Sequence, residues 1–579
     1  MTPESHAPEG QFMRNSEPAS TTRRSHSRRR RGTLVLGGLL ALAMAVTFSA
    51  PASAAPGGAA GTSQTVAPVM SCAQLATTDL AGRTGVPVSI SSATESTATP
   101  GGWSACDVKG TIAPQEQFEA FLPLTTWRQL YLQTGCGGFC GNVSISAPQS
   151  TGCVPLTSGA FAMASDNEGH TASGAFDGTF GADPQLRADY GHLSEHKLAD
   201  LMKKLQKLFY GTAPAYSFYD GCSQGGHEGL MEAQQWPRDF NGIVAGAPAA
   251  IHQPLNVWYQ GWNALSNTGP DGQPILTVDK LAPLHAAVVT ACGDANGLIM
   301  NPTACTFDPG SIQCRPGADT SSCLTPAQVE TVRKLYGGPR DDHGDLLYPG
   351  WQVTGSEANW APWLVPLAPG APASTTIDWN VALNTIRYLA YTTVNPALGL
   401  ADIPFTRAGF RQIMSQTADT FDATNPDLTA FRNAGGKLIM WHGWADPAIT
   451  PIGTIAYYQA VQDRMGGPAA TARFARLFML PGVGHCSGGQ GPDSFDALSA
   501  IVDWVEHGKA PDSFVMTRSA TSTSTVQSLP VYPYPLVATY DGHGDPDVAG
   551  SYRPAPPKVP FDAHVDWLGS FSAQPSHHR

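Results

Sequence analysis

The sequence predicts an α/β fold. Short apolar runs with strand character are interleaved with segments of helical periodicity. The pentapeptide Gly221-Cys222-Ser223-Gln224-Gly225 sits between a strand candidate and a helix candidate. Two later strand-like runs each end in a loop carrying a polar residue, Asp446 in one and His485 in the other.

Taken in chain order, the first segment reads as a leader. Arg23, Arg24 and Arg28 to Arg31 are followed by an apolar run from Leu34 to Phe48 and by Ala52-Ser53-Ala54. Residues 1–54 are therefore predicted to be a secretory signal peptide, cut before Ala55. The arginines match a twin-arginine signal only loosely. The apolar run is shorter than the ~20 residues a membrane span needs, and no later segment is long and apolar enough, so no membrane partner is expected. Residues 55–71 are rich in Ala, Gly, Pro and Ser and read as a linker. A first core segment is expected over 72–248. It contains a helix at Lys197–Tyr210, with Leu198, Leu201, Leu205 and Leu208 on one side, and a strand at Tyr216–Tyr219. Residues 249–403 change character, with four Cys, several Trp and many Pro and Gly, and are read as an inserted lid domain; the alternative is long loops of the core. Residues 404–579 return to the core, with strands at Lys437–Trp441 and Arg476–Leu480 and a helix at Ser499–Glu506.

The chain of 579 residues carries 46 Asp and Glu against 34 Lys and Arg. Seven of the arginines and only three of the acids lie in the leader, so the remainder is more acidic still. That balance argues against a nucleic-acid partner. All eleven cysteines follow the leader and read as disulfides of an exported protein, with at least one unpaired within the chain. Cys136 and Cys140 have half of a zinc-ligand spacing, but the sequence supplies no second pair beside them, and an oxidising compartment disfavours the site.

The chemistry centres on Ser223. A G-x-S-x-G pattern between strand and helix is the setting of a nucleophile elbow, where small flanking residues allow a tight turn that projects the Ser hydroxyl. The N–H of Gln224, first in the following helix, then faces a developing oxyanion. In such folds the acid and the base follow the nucleophile in that order, just beyond strand ends. Asp446 and His485 occupy those places, with His442 a weaker candidate for the base. His485 would accept the Ser223 proton while Asp446 holds the imidazole. Cys222 precedes Ser223 and Cys486 follows His485, so contact between Ser and His would bring these two cysteines within disulfide reach. The Gly-rich turn Gly135-Cys136-Gly137-Gly138-Phe139 offers a second oxyanion donor, Gly137 or Gly138.

Several further motifs accompany the elbow: Ser165-Asp166-Asn167-Glu168-Gly169-His170, Leu324-Thr325-Pro326-Ala327-Gln328, Asn425-Pro426-Asp427-Leu428, His442-Gly443-Trp444-Ala445-Asp446-Pro447 and Gly484-His485-Cys486. With Cys-Ser, Asp and His-Cys in this order, the sequence from about Cys72 to about Gly544 resembles the tannase and feruloyl esterase family, which also includes the bacterial hydrolase of mono(2-hydroxyethyl) terephthalate. The resemblance implies an α/β-hydrolase core with a lid inserted after the elbow and an aromatic ring held between them. It implies hydrolysis of esters of aromatic acids, such as ferulate on wall sugars or gallate in tannins. Ser223, Asp446 and His485 match the family triad, and Cys222 and Cys486 its triad-spanning disulfide. Cys292 with Cys305, Cys314 with Cys323 and Cys72 with Cys106 are the further expected bridges. Cys136, Cys140 and Cys153 would share one bond and leave one thiol.

The sequence departs from the family in three places, one being the Gly-rich turn, which Cys136 and Cys140 flank where the family more often has Asn first. The family's lid calcium loop lies here between Cys292 and Cys305 and has one carboxylate, leaving Asp294 and Asn296 as candidate ligands. Tyr532 stands where the family often has a Cys near the C-terminus. A feruloyl esterase is the leading expectation, with a tannase or terephthalate monoester hydrolase as alternatives and a non-catalytic binding protein on the same fold as the remote one. No cofactor is required for this chemistry.

Overall fold

The computed structural model describes residues 64–571 apart from 318 and 521. The expected leader, 1–54, and most of the expected linker lie outside the described residues.

Nine strands form one sheet: β1 (Val88–Ser96), β2 (Ala105–Ile112), β3 (Glu116–Pro123), β4 (Leu130–Thr134), β5 (Phe161–Asp166), β6 (Tyr216–Cys222), β7 (Gly242–Gly246), β8 (Lys437–Gly443) and β9 (Ala475–Leu480). Their spatial order is β1-β2-β3-β5-β4-β6-β7-β8-β9. The β1, β2, β3 and β5 end is antiparallel, and β5, β4, β6, β7, β8 and β9 run parallel. Sequence pattern explains the difference. The edge strand β1, VSISSATES, mixes buried and exposed positions. Strands such as Gly242–Gly246 (GIVAG) and Lys437–Gly443 (KLIMWHG) are nearly continuous apolar runs, because parallel strands are covered on both faces.

Alternation along these strands divides the core in two. Tyr219, Ile243, Leu438 and Met440 face one side, where they pack with Leu198, Leu201 and Leu205 of the helix Ser194–Tyr210. Phe218, Val244, Ile439 and Trp441 face the other, against Leu498 and Ile501 of the helix Ala497–His507. The predicted helices and strands of the core are thus present, each extended by a few residues.

Residues 247–436 lie between β7 and β8, which are hydrogen-bonded neighbours. Among the described residues this stretch adds no strand to the sheet. Its longer helices are Leu281–Cys292, Pro326–Gly337, Ile377–Tyr388 and Arg407–Phe421. The Leu324–Gln328 motif is the start of one of them. Pro326 fits the first helical position, the Thr325 hydroxyl accepts the Gln328 N–H at 3.3 Å, and Gln328 Oε1 accepts the Thr325 N–H at 2.9 Å. The stretch has its own apolar clusters, one around Leu284, Val332 and Trp360 and another around Trp258, Ile386 and Ile413.

Five disulfides are formed: Cys72–Cys106, Cys136–Cys140, Cys222–Cys486, Cys292–Cys305 and Cys314–Cys323. Cys153 keeps a buried thiol. No helix among the described residues is long and apolar enough to cross a membrane.

Candidate active site

Ser223 directly follows β6 and precedes the helix Gln224–Gln235. Its backbone is left-handed, with φ 67° and ψ −120°, a conformation that costs a non-glycine residue energy and holds only where the surroundings enforce it. Glycines supply the enforcement. A Cβ on Gly221 would fall 2.5 Å from the Gly225 carbonyl oxygen, and one on Gly226 2.3 Å from that of Gly246. The Ser223 N–H donates to the Gly246 carbonyl at 3.0 Å, tying the turn to β7.

His485 and Asp446 come from loops beyond β9 and β8. The two side chains and Ser223 form a continuous chain: His485 Nε2 lies 2.8 Å from Ser223 Oγ, and His485 Nδ1 lies 2.8 Å from Asp446 Oδ2. Asp446 is fully buried. Its Oδ1 accepts the N–H groups of Ala448 and Ile449 at 2.9 and 3.1 Å, and its Oδ2 is also 3.2 Å from His442 Nε2. Burial opposes ionisation of Asp446, but the charge of His485 and hydrogen bonds from both histidines outweigh it and hold the carboxyl well below its ordinary range. His442 thus shares Asp446 Oδ2 with His485, and it is His485 that bonds Ser223. His442 Nε2 is also 2.8 Å from the Ile449 carbonyl and its Nδ1 2.7 Å from Thr454 Oγ1.

Cys222 and Cys486 are joined beside this chain, across 264 residues of sequence. Gly137 and Gly138 stand with Ser223 and Gln224 in the wall of one cavity of about 270 Å³. The Gly225 N–H donates to the Cys136 carbonyl at 2.9 Å, which docks the Gly-rich loop on the elbow. Gln224 opens its helix, where N–H groups have no acceptor within the helix.

The cavity brings in residues that the motifs did not mark. Trp363 packs edge-on to His485, with ring centres 5.0 Å apart. Phe176, Leu255, Val381 and Ile449 add apolar surface. Tyr190, His252, Asn256 and Gln260 add polar groups, and among the described residues none lining the cavity is Lys, Arg, Asp or Glu. Tyr190 Oη and Asn256 Nδ2 each lie 3.1 Å from His252 Nε2. Burial, with His227 nearby, pushes the His252 pKa well below the ordinary histidine value, so the ring is neutral. The i, i+4 spacing of His252 and Asn256 soon after β7 was the one available sequence signal.

Asp294 and Asn296 sit in a tight turn in which the Leu298 N–H donates to Asn296 Oδ1 at 3.0 Å. Calcium takes six to eight oxygens. Among the described residues, neither group of three or more clustered His, Cys, Asp and Glu ligands includes Asp294. One carboxylate and one engaged amide do not fit the ion.

The comparisons agree with this architecture. The profile described as tannase and feruloyl esterase matches residues 101–555. The mono(2-hydroxyethyl) terephthalate hydrolase of Piscinibacter sakaiensis is 31% identical over 526 residues, covering 78% of this chain and 85% of that protein. A probable feruloyl esterase of Arthroderma benhamiae is 32% identical over 411 residues, covering 65% of this chain and 70% of that one. The crystal structure of feruloyl esterase B from Aspergillus oryzae superposes with a TM-score of 0.70 at 25% identity, over 81% of this chain and 97% of its own. With the mostly parallel sheet, the strained serine turn and the match over most of its length, the chain belongs to the tannase and feruloyl esterase family of carboxylic ester hydrolases.

Proposed function

We propose that the protein is a secreted serine carboxylesterase of feruloyl esterase type, hydrolysing esters of hydroxycinnamic and related aromatic acids through an acyl-enzyme on Ser223. The observation that carries this reading is the hydrogen-bonded chain Ser223–His485–Asp446 opening onto a ring-sized cavity. Ser223 Oγ attacks the ester carbonyl while His485 Nε2 takes its proton. Buried Asp446 fixes the Nδ1–H tautomer and stabilises the imidazolium. The N–H groups of Gln224 and of Gly137 or Gly138 receive the oxyanion. His485 then returns the proton to the departing alcohol, and water, activated by the same imidazole, releases the acid.

The cavity lining supports a neutral aromatic acyl group. Apolar Trp363, Val381 and Leu255 suit a ring, and the uncharged Tyr190, His252 and Asn256 suit phenolic hydroxyl or methoxy substituents. A second ring carboxylate would be buried there beside neutral groups, at a cost in desolvation. Residues 249–403 supply much of this wall, in keeping with a lid. Five disulfides suit an oxidising compartment and support export.

The test is parallel hydrolysis of methyl ferulate, methyl gallate and mono(2-hydroxyethyl) terephthalate, with Ser223→Ala as control. Methyl ferulate is expected to be cleaved best and the Ala variant to be inactive. Preference for gallate or for the terephthalate ester would replace the substrate reading. An active Ala variant would overturn the nucleophile.

A further inference from the structure

Gly137, Gly138 and Phe139 line the cavity, but the cysteines flanking them do not. Cys136 and Cys140 instead meet two glutamates. One donor atom from each of Cys136, Cys140, Glu168 and Glu228 lies within 4.8 Å of all the others. Glu228 Oε1 is 2.9 Å from Cys136 Sγ and 3.6 Å from Cys140 Sγ, and Glu168 Oε2 is 3.6 Å from Cys136 Sγ. The other oxygen of Glu228 is already held, by the Tyr219 hydroxyl at 2.6 Å and the Cys136 N–H at 3.3 Å. Oε1 is thus aimed at the sulfurs by its partners. The backbones of Glu168 and Cys140 are left-handed, φ 57° and 61°, so the fold holds both donors in place against their own preference.

Charge balance is unusual here. Glu168 and Glu228 are both buried, with Asp166 and Glu195 close enough to act on Glu168. Lys197, which acts on Asp166, is itself paired with Glu116 and Asp189. A disulfide offers these carboxylates neither proton nor charge. Two thiols offer protons, and two thiolates with two carboxylates form a four-donor sulfur and oxygen set of the kind zinc accepts. The sequence showed only the Cys136/Cys140 half of that set; the other half comes from β5 and the elbow helix.

We propose that Cys136, Cys140, Glu168 and Glu228 form a zinc site that is closed while the two cysteines are joined and opens when they are reduced. The loop bearing Gly137 and Gly138 is then pinned either by the S–S bond or by the metal. Opening by a water-soluble phosphine balances simply. The S–S bond breaks, the phosphine is oxidised to its oxide with the oxygen of one water, and the two electrons and that water's two protons leave both sulfurs as thiols. Zinc binding then releases the thiol protons to buffer.

The test treats the folded full chain with graded phosphine, adds zinc, removes excess metal, and maps thiols by alkylation and mass spectrometry. Cys136 and Cys140 are expected to open before the protein unfolds, to become shielded from alkylation when zinc is present, and to hold one zinc per chain. The double substitution Cys136→Ser with Cys140→Ser is expected to lose that zinc. Glu228→Gln or Glu168→Gln is expected to weaken it by at least roughly tenfold. The wild-type shielding decides the matter even if a Glu variant does not fold. Three results would overturn the proposal: a pair that stays joined until global unfolding, equal alkylation with and without zinc, or the same zinc content in the double Ser variant.

Discussion

His442 and His485 both bring a ring nitrogen to Asp446 Oδ2, yet His485 alone continues to Ser223. In sequence each lies at the end of an apolar run, and the order nucleophile, acid, base already favoured His485, which follows Asp446, over His442, which precedes it. The distances agree with that order. With Nε2 against both the Ile449 carbonyl and Asp446, His442 is a donor there, and Thr454 can donate to its other nitrogen. On the proposed mechanism it is a positioning residue that steadies the carboxylate. His442→Gln is expected to lower kcat by roughly ten- to a hundredfold, the value of one hydrogen bond to a charged group. KM should move little, because His442 does not line the cavity. Steady-state kinetics on methyl ferulate would show this. An unchanged kcat, or a rise in KM alone, would contradict the positioning role. The cavity residues Tyr190, Trp363 and Val381 were not legible, because they reach the site from distant parts of the chain and share no spacing.

At the scale of elements, the turn after β6 and the loop after β9 are joined covalently. The Cys222–Cys486 bond holds the two segments that present Ser223 and His485, and Cys486 itself is left-handed with φ 61°. Both cysteines were legible as a pair from their positions next to Ser and His. The Cys136–Cys140 pairing was open, because three cysteines shared that region and sequence alone does not fix connectivity. The double substitution Cys222→Ser with Cys486→Ser is expected to lower stability by roughly 2–4 kcal/mol. It should also lower kcat, since His485 would lose a constraint on its position. Thermal unfolding and kinetics together check this. A variant with normal kcat and a normal Tm would show that packing alone holds the loop. The core strands were readable because buried parallel strands are apolar runs bounded by turns, whereas the antiparallel β1 to β3, with mixed burial, gave no comparable signal.

Across the whole molecule, buried ionisable groups set the response to pH. Burial pushes the Asp422 carboxyl up to about 8 and lowers His227 to about 4. Below pH 6.5 these groups act in opposite directions, because the unfolded chain protonates its histidines while the folded chain keeps Asp422 protonated. Between about pH 6.5 and 8 His227 is neutral in both states. There the folded protein binds the extra proton at Asp422, so stability falls as pH rises. Tm is expected to decline over that window, and Asp422→Asn is expected to flatten the decline. A Tm that rises from pH 6.5 to 8, or a variant with an unaltered slope, would contradict the assignment. The overall α/β plan was visible in the order of runs and motifs, but the packing of residues 249–403 against the core was not, since helices there carry their own clusters and no motif of the sheet. That placement separates part of the cavity wall from the residues at the strand ends. Because β7 and β8 pair directly while residues 247–436 depart and return between them, the sheet's register places no demand on what the excursion contains. Ser223, Asp446 and His485 all lie outside it, whereas the cavity residues His252, Asn256, Trp363 and Val381 lie within it. On the proposed mechanism, grafting this stretch between relatives is expected to change which acid is cleaved while Ser223, Asp446 and His485 stay in place.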